Sequence, residues 1–179
     1  MSEGIVFSSA SSGSLAVERG ALLTVADRIA RLDEALPQIR AVLEGERDAV
    51  AIEATLACLL WETLLQTSWC GFYRRIDDRT LGVGPYQGTM GCLRIDLARG
   101  VCGACARTAT MQRVPDVSLF PGHIACDDRT RSELVLPVIR DGRVMAVLDL
   151  DSPHLDAFSA EEADRLSMLV VEVFAQASF

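Results

Sequence analysis

The sequence predicts an α+β domain in which helices at both ends of the chain pack against a mostly antiparallel sheet. Apolar residues recur at three- and four-residue steps in the first third of the chain and again near its C-terminus. Between about residues 69 and 151 the apolar period shortens to two, and Asp/Gly turns separate the alternating segments. A period of 3.6 is typical of helices and a period of 2 of half-buried strands, so these patterns together indicate one layered domain.

The N-terminal helices follow from two apolar stripes. We expect Pro37 to end or kink the first helix, and a short helical piece then to stop at Gly45. A second helix should begin near Asp48. The stripes consist of Leu22, Val25, Ile29, Leu32 and Leu36 in the first helix and of Ile52, Leu56, Leu59, Leu60 and Leu64 in the second.

The central segments alternate between strands and short connections. Strands are predicted at residues 69–75, 81–84, 92–95 and 112–114, with a short helix at residues 104–109. Residues 132–140 and 143–151 form the clearest hairpin. Residues 115–131 are a long loop, and loops of that length in a compact domain are usually functional. Ser159 and Glu162 are a capping-box pair that should open the last helix.

Composition restricts the classes of function. With 179 residues the chain is predicted to form a flexible tail at residues 1–20 and a single domain at residues 21–179. The net charge of −8 argues against nucleic acid as a partner, and no apolar run is long enough to span a membrane. The first residues do not resemble a secretory signal, so we expect a cytoplasmic protein whose six cysteines are catalytic, metal-bound or buried.

Asp149 and Asp151 are the clearest acid pair. They lie two residues apart on a predicted strand, so both side chains leave one face of the sheet while Leu148 and Leu150 enter the other. Two close, partly buried carboxyl groups resist ionising together. One of them should therefore keep a proton near neutral pH.

The register of the hairpin decides whether Glu133 joins these aspartates. A two-residue turn at residues 141–142 sets Glu133 opposite Leu150, on the wrong face. A three-residue loop with a bulge and Gly142 in the left-handed region sets Glu133 opposite Asp149. We predict the bulged form, in which the three acids converge.

The cysteines allow two kinds of chemistry. Cys126 lies beside two aspartates that should raise its pKa, so its surroundings do not by themselves indicate reactivity. Cys102 and Cys105 form a Cys-x-x-Cys pair which, with His123 and Cys126, could hold a structural zinc ion. The spacing of these residues alone supports zinc binding and thiol redox chemistry almost equally.

Seven short motifs lie between residues 69 and 152. They are residues 69–73 (WCGFY), 84–88 (GPYQG), 100–103 (GVCG), 116–117 (DV), 120–127 (FPGHIACD), 132–137 (SELVLP) and 147–152 (VLDLDS). Together they resemble the free-methionine-(R)-sulfoxide reductases, which are single-domain enzymes of the GAF fold, and the similarity extends from about residue 32 to the C-terminus. The resemblance implies a six-stranded, mostly antiparallel sheet flanked by helices, a homodimer, and a substrate that is the free amino acid.

The resemblance also implies a role for each cysteine. By position, Cys126 corresponds to the cysteine that attacks the sulfoxide, Cys92 to the main resolving cysteine and Cys102 to an auxiliary one. The implied reaction passes through a sulfenic acid and an intramolecular disulfide that thioredoxin recycles, with no metal and no cofactor.

The remaining site residues are implied in the same way. The acids that surround the sulfoxide correspond to Glu133, Asp149 and Asp151, and the pocket walls to Trp69 and Tyr73. The loop of residues 116–124, which includes Asp116, Phe120, His123 and Ile124, should close over the substrate.

Two cysteines depart from this pattern. Cys105 and Cys70 stand where similar proteins carry a small residue such as Ala. Because the zinc hypothesis depends on Cys105, this departure weakens it. A second alternative is a GAF domain that senses a small ligand without turning it over.

Overall fold

The computed structural model describes residues 18–124 and 126–179. Within them the chain forms helices, strands and one 3-10 turn. In chain order these are α1 Val25–Leu43, α2 Ala49–Thr63, β1 Trp69–Arg75, β2 Thr80–Gly88, β3 Arg94–Asp96, α3 Gly100–Thr108, β4 Gln112–Val114, the 3-10 turn Val117–Leu119, β5 Ser132–Arg140, β6 Arg143–Ser152 and α4 Ala160–Val173.

The first helix is longer than predicted. Thr24 caps α1 by accepting a hydrogen bond from the Asp27 amide, and the helix continues through Pro37 to Leu43. The expectation that Pro37 separates two helical pieces is therefore wrong. Pro37 and Asp33 both lie on the exposed side, where water can satisfy the Asp33 carbonyl that loses its amide partner.

The strands form one antiparallel sheet in the order β3-β2-β1-β6-β5-β4. This confirms the six-stranded α+β prediction. Strands β1 and β6 are central, and Gly71 of β1 pairs with Asp149 of β6. The pairing places the acidic end of β6 beside the aromatic start of β1.

The β5–β6 hairpin brings Glu133 to the aspartates by a different device from the predicted one. Asp141 and Gly142 form a tight two-residue turn with φ values of 50° and 74°, as in a type I′ turn. The predicted three-residue loop is therefore wrong. A bulge inside the ladder, at Met145, shifts the register instead, so that Glu133 pairs with Asp151.

The two faces of the sheet bury different clusters. The helical face packs against α1, α2 and α4 and contains Leu148 and Leu150 together with Phe72. The opposite face packs against α3 and contains Trp69 and Tyr73. None of the helices in the described residues combines the length and apolarity needed to cross a membrane.

The segment before α1 contacts the domain from residue 19 onward. The Arg19 guanidinium lies 3.7 Å from the centroid of the Trp61 ring. The Gly20 amide donates to the Leu65 carbonyl at 2.7 Å, and the Gly20 carbonyl lies 2.6 Å from His154 Nε2. Most of the predicted tail, residues 1–17, lies outside the described residues.

Candidate active site

One cavity opens on the α3 face of the sheet, below the segment that joins β4 to β5. Strand ends, the start of α3 and this segment all contribute to its wall. Four acids, two aromatic residues and two cysteines face the same space. The predicted site residues in the wall are Trp69, Tyr73, Cys102, His123, Ile124, Cys126, Glu133, Asp149 and Asp151.

The three acids form a single proton-sharing cluster. Burial raises the pKa of Glu133 well above its ordinary value, and the charges of Asp149 and Asp151 raise it further. Burial also raises the pKa of Asp149, but hydrogen bonds from Cys102 and Glu133 favour its ionised form. Burial, followed by the charge of Asp149, raises the pKa of Asp151. Glu133 and Asp151 are therefore the groups that retain protons near neutral pH.

Cys102 lies against this cluster and not on the surface. Its thiol, 3% exposed, donates to Glu133 Oε1 at 3.8 Å. Burial is the largest cause of its raised pKa, and the nearby carboxylates add to it. Cys102 is therefore a neutral thiol in the resting site, where it acts as a hydrogen-bond donor to the acids.

The four residues of the zinc hypothesis do not assemble. Cys126 is bonded to Cys92, and the Cys105 thiol donates to the Val135 carbonyl at 3.7 Å. Among the described residues, the donor atoms that cluster within 4.8 Å of one another belong to Cys102, Glu133 and Asp149. These three face the cavity and already donate to and accept from one another, so we assign them to the substrate site.

The aromatic wall is a stack with an unused hydrogen-bond donor. The Trp69 ring stacks on Tyr73 and on Tyr86, each with ring centroids 5.3 Å apart. Trp69 Nε1, Asp149 Oδ1 and Thr130 Oγ1 are buried and have no hydrogen-bond partner among the described residues. Because buried polar groups are almost always paired, these cavity atoms are suited to a polar ligand.

A disulfide joins Cys92 to Cys126, with Cα atoms 5.4 Å apart. Cys92 follows β2 in the chain and Cys126 precedes β5. A second contact links the same two loops, because the Thr89 hydroxyl donates to Asp127 Oδ2 at 2.9 Å. Arg129 donates to the same carboxylate from Nη2 at 2.7 Å. The hydrogen bonds from Arg129, and to a smaller extent the one from Thr89, lower the pKa of Asp127, so its charge is held at the cavity edge.

Two predicted residues lie elsewhere. The Asp116 carboxylate caps the 3-10 turn by accepting hydrogen bonds from the Ser118 amide at 3.0 Å and the Ser118 hydroxyl at 2.6 Å. Phe120 packs with Ile124 against the apolar cluster of the α3 face. Neither belongs to the cavity wall. His123 does approach the acids, with Nε2 3.7 Å from Glu133 Oε2.

Sequence reasoning missed three polar residues in the wall, Thr89, Asp127 and Thr130. Asp127 was within the recognised motif at residues 120–127 and could have been found there. Thr89 and Thr130 follow no local pattern, because their place in the wall depends on how two loops meet.

The fold and the matching family model assign the chain to a broad class of domains, and its relatives then assign it to a narrower family. The GAF domain model matches residues 27–177, so this is a GAF-domain protein. Within that class, the chain is 41% identical over 133 residues to a free methionine-R-sulfoxide reductase of Escherichia coli, covering 74% of this chain and 80% of the relative. A protein of the same name from Saccharomyces cerevisiae is 34% identical over 145 residues, covering 77% and 81%. The chain belongs to the free methionine-R-sulfoxide reductase family.

Solved structures agree with this assignment. The free methionine-R-sulfoxide reductase of Neisseria meningitidis, solved in complex with its substrate, superposes with a TM-score of 0.79 at 39% identity. That match covers 88% of this chain and 95% of the other. The reduced form of the Staphylococcus aureus protein gives a TM-score of 0.77 at 34% identity, covering 81% and 94%.

Proposed function

We propose that the protein reduces free L-methionine-(R)-S-oxide to L-methionine, with Cys126 as the nucleophile. The observation that carries this proposal is the placement of a disulfide-forming cysteine, Cys126, in the same cavity as three proton-sharing acids. Membership of the family supports it. A sulfoxide needs both a nucleophile for its sulfur and a proton for its oxygen, and this wall supplies both.

The first step is an oxygen transfer from sulfoxide to thiol. The Cys126 thiolate attacks the sulfoxide sulfur while Glu133 or Asp151 protonates the oxygen, and methionine leaves with Cys126 as a sulfenic acid. Glu133 is the better donor, because it already shares its proton with Asp149. Asp149, the acid that ionises most readily, then accepts a hydrogen bond from the Cys102 thiol or a substrate group.

The second step restores the nucleophile. The Cys92 thiol condenses with the sulfenic acid, releasing water and forming the disulfide. A protein dithiol then reduces the disulfide by exchange, and we take thioredoxin as that reductant. A homodimer and a cytoplasmic location are part of the same proposal, and both rest on the resemblance and on the composition of the chain.

The charge of the wall suits a free amino acid. The wall contains four acids and, among its described residues, no Lys or Arg. The substrate's α-ammonium group would compensate part of that charge, whereas a methionine within a peptide has no such group at this position. The Trp69 and Tyr73 rings offer the flat apolar surface that a methyl group needs.

A sensor that binds the sulfoxide without reducing it is the alternative. A binding module has no need of two cysteines that can pair beside a set of proton donors. The alternative predicts stoichiometric binding and no consumption of reductant.

The test is a coupled assay with thioredoxin, thioredoxin reductase and NADPH. NADPH should be consumed with the free R epimer and not with the S epimer or with a peptide containing methionine sulfoxide. Cys126→Ser should consume none, while Cys58→Ser, which changes an exposed cysteine, should match the unmodified protein. Binding of the R epimer without NADPH consumption would support the sensor.

A further inference from the structure

The loop that carries Cys92 leads from the cavity wall to the surface. Thr89, Met90 and Gly91 belong to the wall, whereas Cys92 and Leu93 do not. Gly91 is so close to the aromatic wall that an added Cβ would lie 2.8 Å from Tyr73 Oη and 3.2 Å from Trp69 Nε1. Met90, at the rim of the cavity, is 80% exposed, and Leu93 is 70% exposed. Cys92 therefore lies between two exposed apolar side chains.

One cysteine of the disulfide belongs to the cavity wall and the other does not. Cys126 lines the cavity, and Cys92 does not. Cys92 is half-buried and lies in the chain between the buried Gly91 and the exposed Leu93. Cys92 is therefore next to an exposed apolar side chain that lies outside the cavity wall.

The backbone of this loop is fixed at its outer end. The Leu93 carbonyl accepts hydrogen bonds from the Val83 amide at 3.2 Å and from Arg94 Nη1 at 2.7 Å. The exposed Leu93 side chain is therefore presented from a held backbone. Large apolar side chains exposed beside a reactive bond are typical of contact surfaces.

We propose that the exposed Met90 and Leu93 side chains on either side of Cys92 form the docking surface for the protein dithiol that recycles the enzyme, and that this dithiol attacks the Cys92 sulfur. This inference rests on the proposed function. The attacking thiolate forms a bond to Cys92 Sγ, the bond between Cys92 and Cys126 breaks, and its electron pair leaves with the Cys126 sulfur. The second thiol of the partner then displaces Cys92, which leaves the partner oxidised and both cysteines of this chain reduced.

The choice of sulfur has a functional consequence. Attack at Cys92 releases Cys126 inside the cavity, where the next sulfoxide binds, while the partner remains outside. Attack at Cys126 would require the partner to enter a space lined by Trp69 and the acids.

The attacked sulfur can be identified with a thioredoxin variant that keeps only its nucleophilic cysteine. Mixed with the disulfide form of this protein, it should yield a mixed disulfide that peptide mass spectrometry assigns to Cys92. Attachment at Cys126, or no adduct with thioredoxin while dithiothreitol reduces the protein, would overturn the proposal. Because this experiment contains no methionine sulfoxide, its outcome does not depend on the proposed activity.

The docking surface can be tested with Leu93→Ser. Loss of this contact should raise KM for thioredoxin by about threefold to tenfold and leave turnover with dithiothreitol unchanged. Met168→Ser is the matched control, because Met168 is 67% exposed on α4, on the other side of the sheet. An unchanged KM for Leu93→Ser, or an equal loss with thioredoxin and dithiothreitol, would contradict the proposal.

Discussion

The two faces of the central sheet bury carboxyl groups in opposite ways. On the helical face, Glu162 accepts hydrogen bonds from Arg28 Nε at 2.9 Å and Nη2 at 3.0 Å, and a third from Gln66 Nε2 at 3.2 Å. On the cavity face, Glu133 and Asp149 face each other and a thiol, and Asp149 Oδ1 has no partner among the described residues. The helical face satisfies its buried charge, and the cavity face keeps unsatisfied groups that a substrate can use.

This comparison predicts that a substitution on the cavity face lowers activity without lowering stability, whereas a substitution on the helical face lowers stability without lowering activity. Glu133→Gln should lower the single-turnover rate of methionine formation by roughly 10²–10⁴-fold, since glutamine cannot transfer a proton. Its free energy of unfolding should stay the same or rise, because a buried carboxyl group without a countercharge is removed. Rapid-quench measurement of methionine and urea unfolding provide the two values. A rate within twofold of the unmodified protein would remove Glu133 as the proton donor.

The matched variant on the helical face should behave in the opposite way. Glu162→Gln removes the countercharge of Arg28, which is 5% exposed, and leaving a buried ion unpaired costs about 3–5 kcal/mol. The single-turnover rate of the protein that remains folded should not change. Urea unfolding checks the first value, and an unfolding free energy equal to that of the unmodified protein would show that the pair does not stabilise the domain.

Glu53 is the exception on the helical face, because it is fully buried and, among the residues that the structure describes, it pairs with Arg74 alone, whose Nε lies 3.3 Å from Oε1. Burial raises the pKa of Glu53 to about 7 from 4.5. The folded state therefore holds a proton that the unfolded state releases between these values, so stability falls as pH rises through this window.

The expected loss from Glu53 is about 3 kcal/mol between pH 4.5 and 7. Glu53→Gln should remove this part of the pH dependence, whereas Glu62→Gln, an exposed residue of the same helix, should keep it. Urea unfolding across this pH range makes the comparison. If the unfolding free energy of both variants depended on pH in the same way, Glu53 would be ionised over the whole range.

The smallest expected effect concerns the contact between the two cysteine loops. Thr89→Val removes the hydroxyl that donates to Asp127 and leaves the charge of the cavity unchanged. Since such a hydrogen bond contributes about 0.5–1.5 kcal/mol, the equilibrium constant for forming the Cys92–Cys126 disulfide against glutathione should fall roughly twofold to tenfold. An unchanged equilibrium constant would mean that the contact does not hold the loops together. Thr80→Val, at the start of β2 and so at the opposite end of that strand from Thr89, is the control.

The sequence was sufficient to predict the segments with a regular apolar period, which form helices and strands. It predicted less of the turns, bulges and contacts between loops. Apolar period and capping residues located the helices and the two strands of the β5–β6 hairpin, including the capping box at Ser159 and Glu162, but they did not predict the loop and register of that hairpin. The bulge at Met145 was not predictable, because no glycine or other backbone signal marks it. Pro37 misled the prediction, since packing of the residues around it outweighs the lost hydrogen bond.

The candidate site divides in the same way. Residues on regular strands, such as Glu133 and Asp149, lie where alternation predicts. Asp116 and Phe120 were assigned by resemblance to a loop, and neither belongs to the cavity wall. Thr89 and Thr130 enter the wall only through the folded path of two loops, which local sequence does not determine.

The most direct test of the central claim identifies the atom that receives the sulfoxide oxygen. Reduced Cys92→Ser protein, which cannot form the disulfide, is mixed with one equivalent of the free R epimer in the presence of dimedone. We predict one equivalent of methionine and a dimedone adduct on Cys126, detected by peptide mass spectrometry. An adduct on Cys102, or methionine formed while Cys126 remains a free thiol, would contradict the assignment of Cys126 as the nucleophile.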